Sequence, residues 1–171
     1  MNDDTTYINN QEDYWNILTN INEWIKFSDQ KSVFVITTYS VILTIIYTNA
    51  SEIYDAISNS KLLIWSTVIT SFFSAISIFF SFKCLSPRLK NNNTSSIFFF
   101  GHISNNTNYE EYYTYSKSIL QDKESIEKSI AEQIYTNSKI ATTKFKNVTY
   151  SIRAQVLSLL TIGLSLIIYL I

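Results

Sequence analysis

Three stretches of this chain carry no charged residue, and they decide what it can fold into. Ser32–Ser51 gives 20 such residues between Lys31 and Glu52, Leu62–Phe82 gives 21, and Ala154–Ile171 gives 18 after Arg153. A bilayer core is about 30 Å thick and a helix rises about 1.5 Å per residue, so each block can serve as a span. A buried hairpin in a soluble protein is the other fate. The polar remainder is too small to cover that much apolar surface, so this fails. The expectation is an α-helical membrane protein with three transmembrane helices, at 32–51, 62–82 and 154–171. Residues 1–31 supply a cytosolic N-terminal helix, and residues 83–153 a small, mainly α cytosolic sensor module.

Cations set the orientation. Of the 13 Lys and Arg residues, only Lys61 lies between the first two blocks; Lys26 and Lys31 precede the first, and the rest run from Lys83 to Arg153. The positive-inside rule then puts the N-terminus and 83–153 in the cytoplasm, the 52–61 loop outside, and the third span's end outside. No cation precedes Lys26, so a cleaved secretory signal is not expected.

Residues 1–10 are polar and read as mobile. Tyr14, Leu18, Ile21 and Ile25 then recur at helical spacing. The threonines and Tyr39 make the first span moderately polar, able to return hydrogen bonds to its own backbone or to neighbouring helices. After Pro87 and the asparagine run at 91–93, Ile97–Ile103 is an apolar segment stopped by Gly101, read as a short strand or extended piece. Asn105–Asn108 supplies a turn and a helix N-cap, with Glu110 and Glu111 in the favourable first turn. From Asp122, apolar residues at Ile126, Ile130, Ile134, Ala141, Phe145, Val148 and Ile152 mark a helix that meets the last span with no breaker between them. Such a rod is about 75 Å long. It is built to carry an event in the aqueous module into the lipid.

The residues exclude the common enzyme chemistries. Glu110 and Glu111 are adjacent, about 100° apart on a helix, and so form no carboxylate pair. There is no glycine-rich phosphate loop and no His-Glu-x-x-His, and the single cysteine, Cys84, lies far from the single histidine, His102. A net charge of −1 gives no reason to expect a nucleic-acid partner. The protein reads as a non-enzyme with no cofactor.

Several motifs, in order, resemble the transmembrane effectors of the Pycsar anti-phage defence system (PycTM). They are Trp24–Ser32 leading into the first span, Ser86-Pro87-Arg88 after the second, Ile97–Ser104, Tyr109–Tyr112, and Glu132–Phe145. The resemblance covers about residues 20–171. It implies a multi-pass inner-membrane effector that senses cyclic UMP or cyclic CMP made by a partner pyrimidine nucleotide cyclase, impairs the membrane, and arrests growth as abortive infection. A homo-oligomer is a further expectation.

Such a ligand needs a cation or N–H groups for its phosphate, an aromatic face, and amides or hydroxyls for the base edge. Candidates are Lys139 and Lys144 for the phosphate, Gln133 and Asn137 (with Ser138) for the base, and Tyr135, Tyr112 or Phe100 for stacking. Gly101 permits close approach and His102 stands beside it. The plainer readings are lipid anchors for the lysines, core for Phe98–Phe100, and a hydrogen-bonded loop residue for His102. A different class of function also fits: a non-gated membrane scaffold or partner subunit that binds another protein through its tyrosine-rich module.

Overall fold

The computed structural model describes residues 3–86 and 96–170, and among these it is helical with no sheet. In chain order the elements are α1 (Asp3–Thr48), α2 (Ala50–Ser58), α3 (Lys61–Leu85), α4 (Phe100–Ile103), α5 (Tyr109–Leu120) and α6 (Lys123–Leu170). Three of them, α1 from Gln11, α3 and α6, are long and apolar enough to cross a membrane. Their apolar side chains point outward: Phe34, Trp65, Phe72, Leu160 and Leu170 all stand exposed. A water-soluble monomer does not present so many large apolar groups together, whereas a bilayer covers them.

The chain divides into two compact units, the first from Met1–Lys26 and Pro87–Thr142, the second from Phe27–Ser86 and Thr143–Ile171. The second unit therefore takes in Phe27–Lys31 and residues 143–153 along with the three uncharged blocks.

The first unit buries Leu18, Ile126 and Ile130, with Tyr14, Phe98, Ile119 and Ile134 packed around them. Here α5 and α6 start on side-chain caps. Asn108 accepts the Glu111 N–H at 2.9 Å, and the Glu111 carboxylate accepts the Thr107 N–H at 2.7 Å. Asp122 accepts the Ser125 N–H at 3.1 Å and also the Ser125 hydroxyl. These bonds favour the ionised forms, so Thr107 holds Glu111, and Ser125 holds Asp122, below the usual carboxylate range.

The second unit is held by hydroxyls. Along the seam between α3 and α6, Ser66 meets Ser165 at 2.9 Å, Thr70 meets Thr161 at 2.8 Å, and Ser74 meets Ser158 at 2.8 Å. Ser151, fully buried, bonds Ser81 Oγ at 2.7 Å and exchanges bonds with Ser77. Positions 66, 70, 74, 77 and 81 step by three and four, so one face of α3 carries them all. In α1, Thr38 donates instead to Phe34 O, Ser40 to Ile36 O, and Thr44 to Ser40 O, two ways of sparing hydroxyls from lipid. Tyr39, expected to return a hydrogen bond, does not: its buried hydroxyl, like that of Ser32, has no partner among the described residues.

Three local expectations change. The strand-like 97–103 segment is a pair of bends followed by the single turn α4, because no second strand among the described residues offers it an edge. It satisfies itself locally, with His102 N and Ile103 N donating to Phe99 O at 2.9 and 3.0 Å. The 52–61 loop is largely the helix α2, whose Ile53, Ala56 and Ile57 recur at helical spacing and are half-buried. Residues 3–10, read as mobile, are the first turns of α1, which runs on to Thr48 without a break.

Candidate functional site

The stripe that buries Ile126 and Ile130 continues along α6, by steps of three and four, to Gln133 and Asn137. A core stripe thus turns polar inside the first unit. Gln133 is buried, and a buried amide without partners is costly. Its partners are present. Ser96 Oγ donates to Gln133 Oε1 at 3.1 Å, Gln133 Nε2 to Asn137 Oδ1 at 2.8 Å, and Asn137 Nδ2 to the exposed Asn22 at 2.7 Å.

This relay has a direction. The Phe98 N–H already donates to Ser96 Oγ at 3.2 Å, and the Ser96 hydroxyl proton turns to Gln133. Each amide then presents oxygen toward Ser96 and nitrogen toward Asn22.

Ser96 also links His102 to the relay. Its N–H donates to His102 Nδ1 at 2.8 Å, so the neutral ring carries its proton on Nε2. The imidazole lies edge-on to Phe99, with ring centroids 5.0 Å apart. Gly101 is there for that ring: a Cβ would sit 2.6 Å from Phe99 Cε1. Trp15 packs edge-on against Phe98 at 5.2 Å, and the Tyr112 hydroxyl pins Ile97 O at 3.2 Å.

The sequence candidates are therefore divided. His102, Gln133 and Asn137 are joined through Ser96, with Gly101 adjacent. Lys139 belongs to the same unit but lies about 120° around α6 from Gln133, its ammonium 4.1 Å above the Tyr135 ring. Ser138 returns its hydroxyl to Ile134 O. Phe100 opens α4, and its side chain lies outside the described residues. Lys144 belongs to the second unit, where it is buried, paired with Asp29, and donates to Cys84 O at 2.9 Å.

Ser96 and Asn22 were not singled out from sequence. Ser96 is the end of a polar run with no periodicity. Asn22 pairs across 115 positions, a relation that no local pattern carries.

A family model described as the Pycsar effector protein domain matches residues 13–171. The chain belongs to this family. No curated protein and no solved structure matches it. Membership makes it an anti-phage defence effector, and the family implies a cyclase partner and its cyclic nucleotide. The PycTM match and the three long apolar helices agree on a multi-pass membrane protein.

Proposed function

We propose that this Pycsar effector is gated by a cyclic pyrimidine mononucleotide, cyclic UMP or cyclic CMP, supplied by the partner cyclase. Binding in the first unit leads the protein to impair the inner membrane, and the infected cell stops growing before phage mature. The protein carries out no reaction and needs no cofactor; the nucleotide is a signal.

The observation that supports this most is the directional amide relay. A pyrimidine edge is a short row of donors and acceptors, and it is read by amides whose oxygen and nitrogen positions are fixed beforehand. Asn137 and Asn22 keep N–H groups beyond those the relay uses, and His102 keeps Nε2–H. Lys139, about 120° around α6 from Gln133 and over the Tyr135 ring, is the first unit's candidate cation for the phosphate, reaching it by leaving that ring free to stack. Lys144 has partners of its own and serves the second unit.

The fold of the first unit also supports the orientation. Its two sequence segments are separated by two spans yet pack on each other, so the chain crosses, returns, and crosses again. The positive-inside rule makes their shared side the cytoplasm.

Calorimetric titration of the detergent-solubilised protein against cyclic AMP, GMP, CMP and UMP is the test. One pyrimidine nucleotide binds and the purines do not. Asn137→Ala weakens binding several-fold, and Lys139→Ala by roughly ten- to a hundredfold, the range for a charge-assisted contact. Silence toward all four overturns the reading. It would favour the scaffold instead, for which the exposed Tyr109, Tyr113 and Tyr135 are the supporting feature.

A further inference from the structure

Within the second unit, α1 and α6 leave a groove of about 340 Å³ lined by Gln30, Lys31, Phe34, Val35, Ile152 and Gln155. Its chemistry is split. Phe34, Val35 and Ile152 form an apolar wall, while Lys31 and Gln155 bring a cation and an amide to the same space.

Both polar groups are underused. Lys31 Nζ sits 4.2 Å from the Phe27 ring centroid and 5.7 Å from that of Phe145, with no carboxylate in ion-pair reach among the described residues. The nearest acid in sequence, Asp29, is taken by Lys144. Gln155 is 6% exposed, and its side chain has no hydrogen-bond partner among the described residues. Its amide lines the groove rather than being sealed in protein, so it is open to a ligand there.

The groove's place in the chain selects its occupant. Lys31 is the last charge before the 20-residue uncharged block, and Gln155 comes two positions after Arg153, the last charge of α6. Both therefore mark the depth at which headgroup meets hydrocarbon. We infer that the groove binds one anionic phospholipid, its phosphate between Lys31 and Gln155 and the upper part of one acyl chain along Phe34, Val35 and Ile152.

A neighbouring apolar helix would leave the ammonium and the amide unpaired. A free phosphate would leave the apolar wall unfilled. A choline headgroup would set its own cation beside Lys31. At the lower end of the roughly 300–1,000 Å³ range of ligand sites, the groove takes a headgroup and the start of a chain, the remainder staying in the bilayer. This hold on lipid belongs to the resting protein and does not depend on nucleotide.

Native mass spectrometry of the delipidated full-length protein in detergent tests it. Phosphatidylglycerol, phosphatidylcholine of the same chains, and glycerol phosphate alone are added in parallel. The parent retains phosphatidylglycerol about tenfold better than phosphatidylcholine, the effect of one charge-assisted contact. Lys31→Gln and Gln155→Leu each bring phosphatidylglycerol down to the phosphatidylcholine level, whereas Lys146→Gln, exposed and outside the groove, changes nothing. Gln155→Leu replaces an unpaired amide by an apolar group, so it reports even if Lys31→Gln fails to fold. Equal retention of the two lipids by the parent overturns the inference, as does parental retention by Gln155→Leu. Displacement of the lipid by glycerol phosphate at equal concentration also overturns it.

Discussion

Lys144 Nζ donates to the main-chain oxygen of Cys84 at 2.9 Å while it pairs with Asp29, so one ammonium ties α1, α3 and α6 together in the second unit. The carbonyl it caps belongs to the last turn of α3.

Removing that ammonium is expected to be costly. Lys144→Met should lower the stability of the detergent-solubilised protein by about 1–3 kcal/mol, read as a fall in unfolding temperature. Asp29 is partly solvated, which keeps the loss below that of a fully buried pair. The double variant with Asp29→Asn should recover part of the loss, because it no longer strands a carboxylate. If Lys144→Met unfolds like the parent, the tie is not structural.

Ser151 is the point at which the seam is most sensitive. Ser151→Ala gives up bonds to Ser77 and Ser81 and should cost about 1 kcal/mol, the scale measured for hydrogen bonds between membrane helices. Ser151→Leu should do far more, since the site is fully buried and has no room for the side chain. Thermal unfolding in detergent orders the two. An equal effect would show that the seam's contribution is not steric.

Gly101→Ala places a methyl group against Phe99 and should cost about 1–3 kcal/mol as overpacking. The ring must then leave His102. A His102 side-chain resonance that does not move in the variant's spectrum would contradict this geometry.

Acid should loosen the first unit through its caps. Asp122 and Glu111 titrate below their ordinary values in the folded protein. Their contribution is complete above the unfolded carboxylate range and is lost as pH falls through the folded values. Asp122→Asn keeps a capping oxygen that cannot titrate, so its helicity by circular dichroism should fall less steeply toward low pH. Superimposable acid limbs would remove Asp122 from the account.

Coupling can be tested by a break in α6. Asn147 is buried in the second unit, and proline there would damage that unit directly. Thr142, exposed and last in the first unit, is the better position. Thr142→Pro removes one helix bond at a cost of about 3 kcal/mol. It should keep near-parental nucleotide affinity and lose dye leakage from nucleotide-treated spheroplasts. Full leakage at equal expression would show that the continuous helix is not the transmission element.

Much of this architecture can be read from charge alone. Three blocks without Asp, Glu, Lys or Arg define the spans, and the Asn108 cap and the Ile126–Ile130–Ile134 stripe follow from local rules. The family resemblance rests on motifs in their order. What local rules cannot supply is pairing at a distance: Lys144 with Asp29, Asn137 with Asn22, Ser74 with Ser158. Nor can a seven-residue apolar run announce whether it is strand or turn, because that depends on whether a neighbouring strand exists. The hydroxyl seam was within reach, since 66, 70, 74, 77 and 81 keep a helical step; phenylalanines between them hide it from a hydropathy reading.

The hydroxyls of the spans are spent in two ways, and this gives the helices unequal freedom. Those of Thr38, Ser40 and Thr44 are satisfied within α1, so that helix can rotate or exchange neighbours without surrendering a single one of these bonds. The α3 hydroxyls are committed to α6, and parting those two helices would bare a column of unpaired groups to hydrocarbon. Within the second unit, beyond its ties at Ser28 and Asp29, α1 therefore meets its neighbours by packing, whereas α3 and α6 are joined along their length by shared hydrogen bonds.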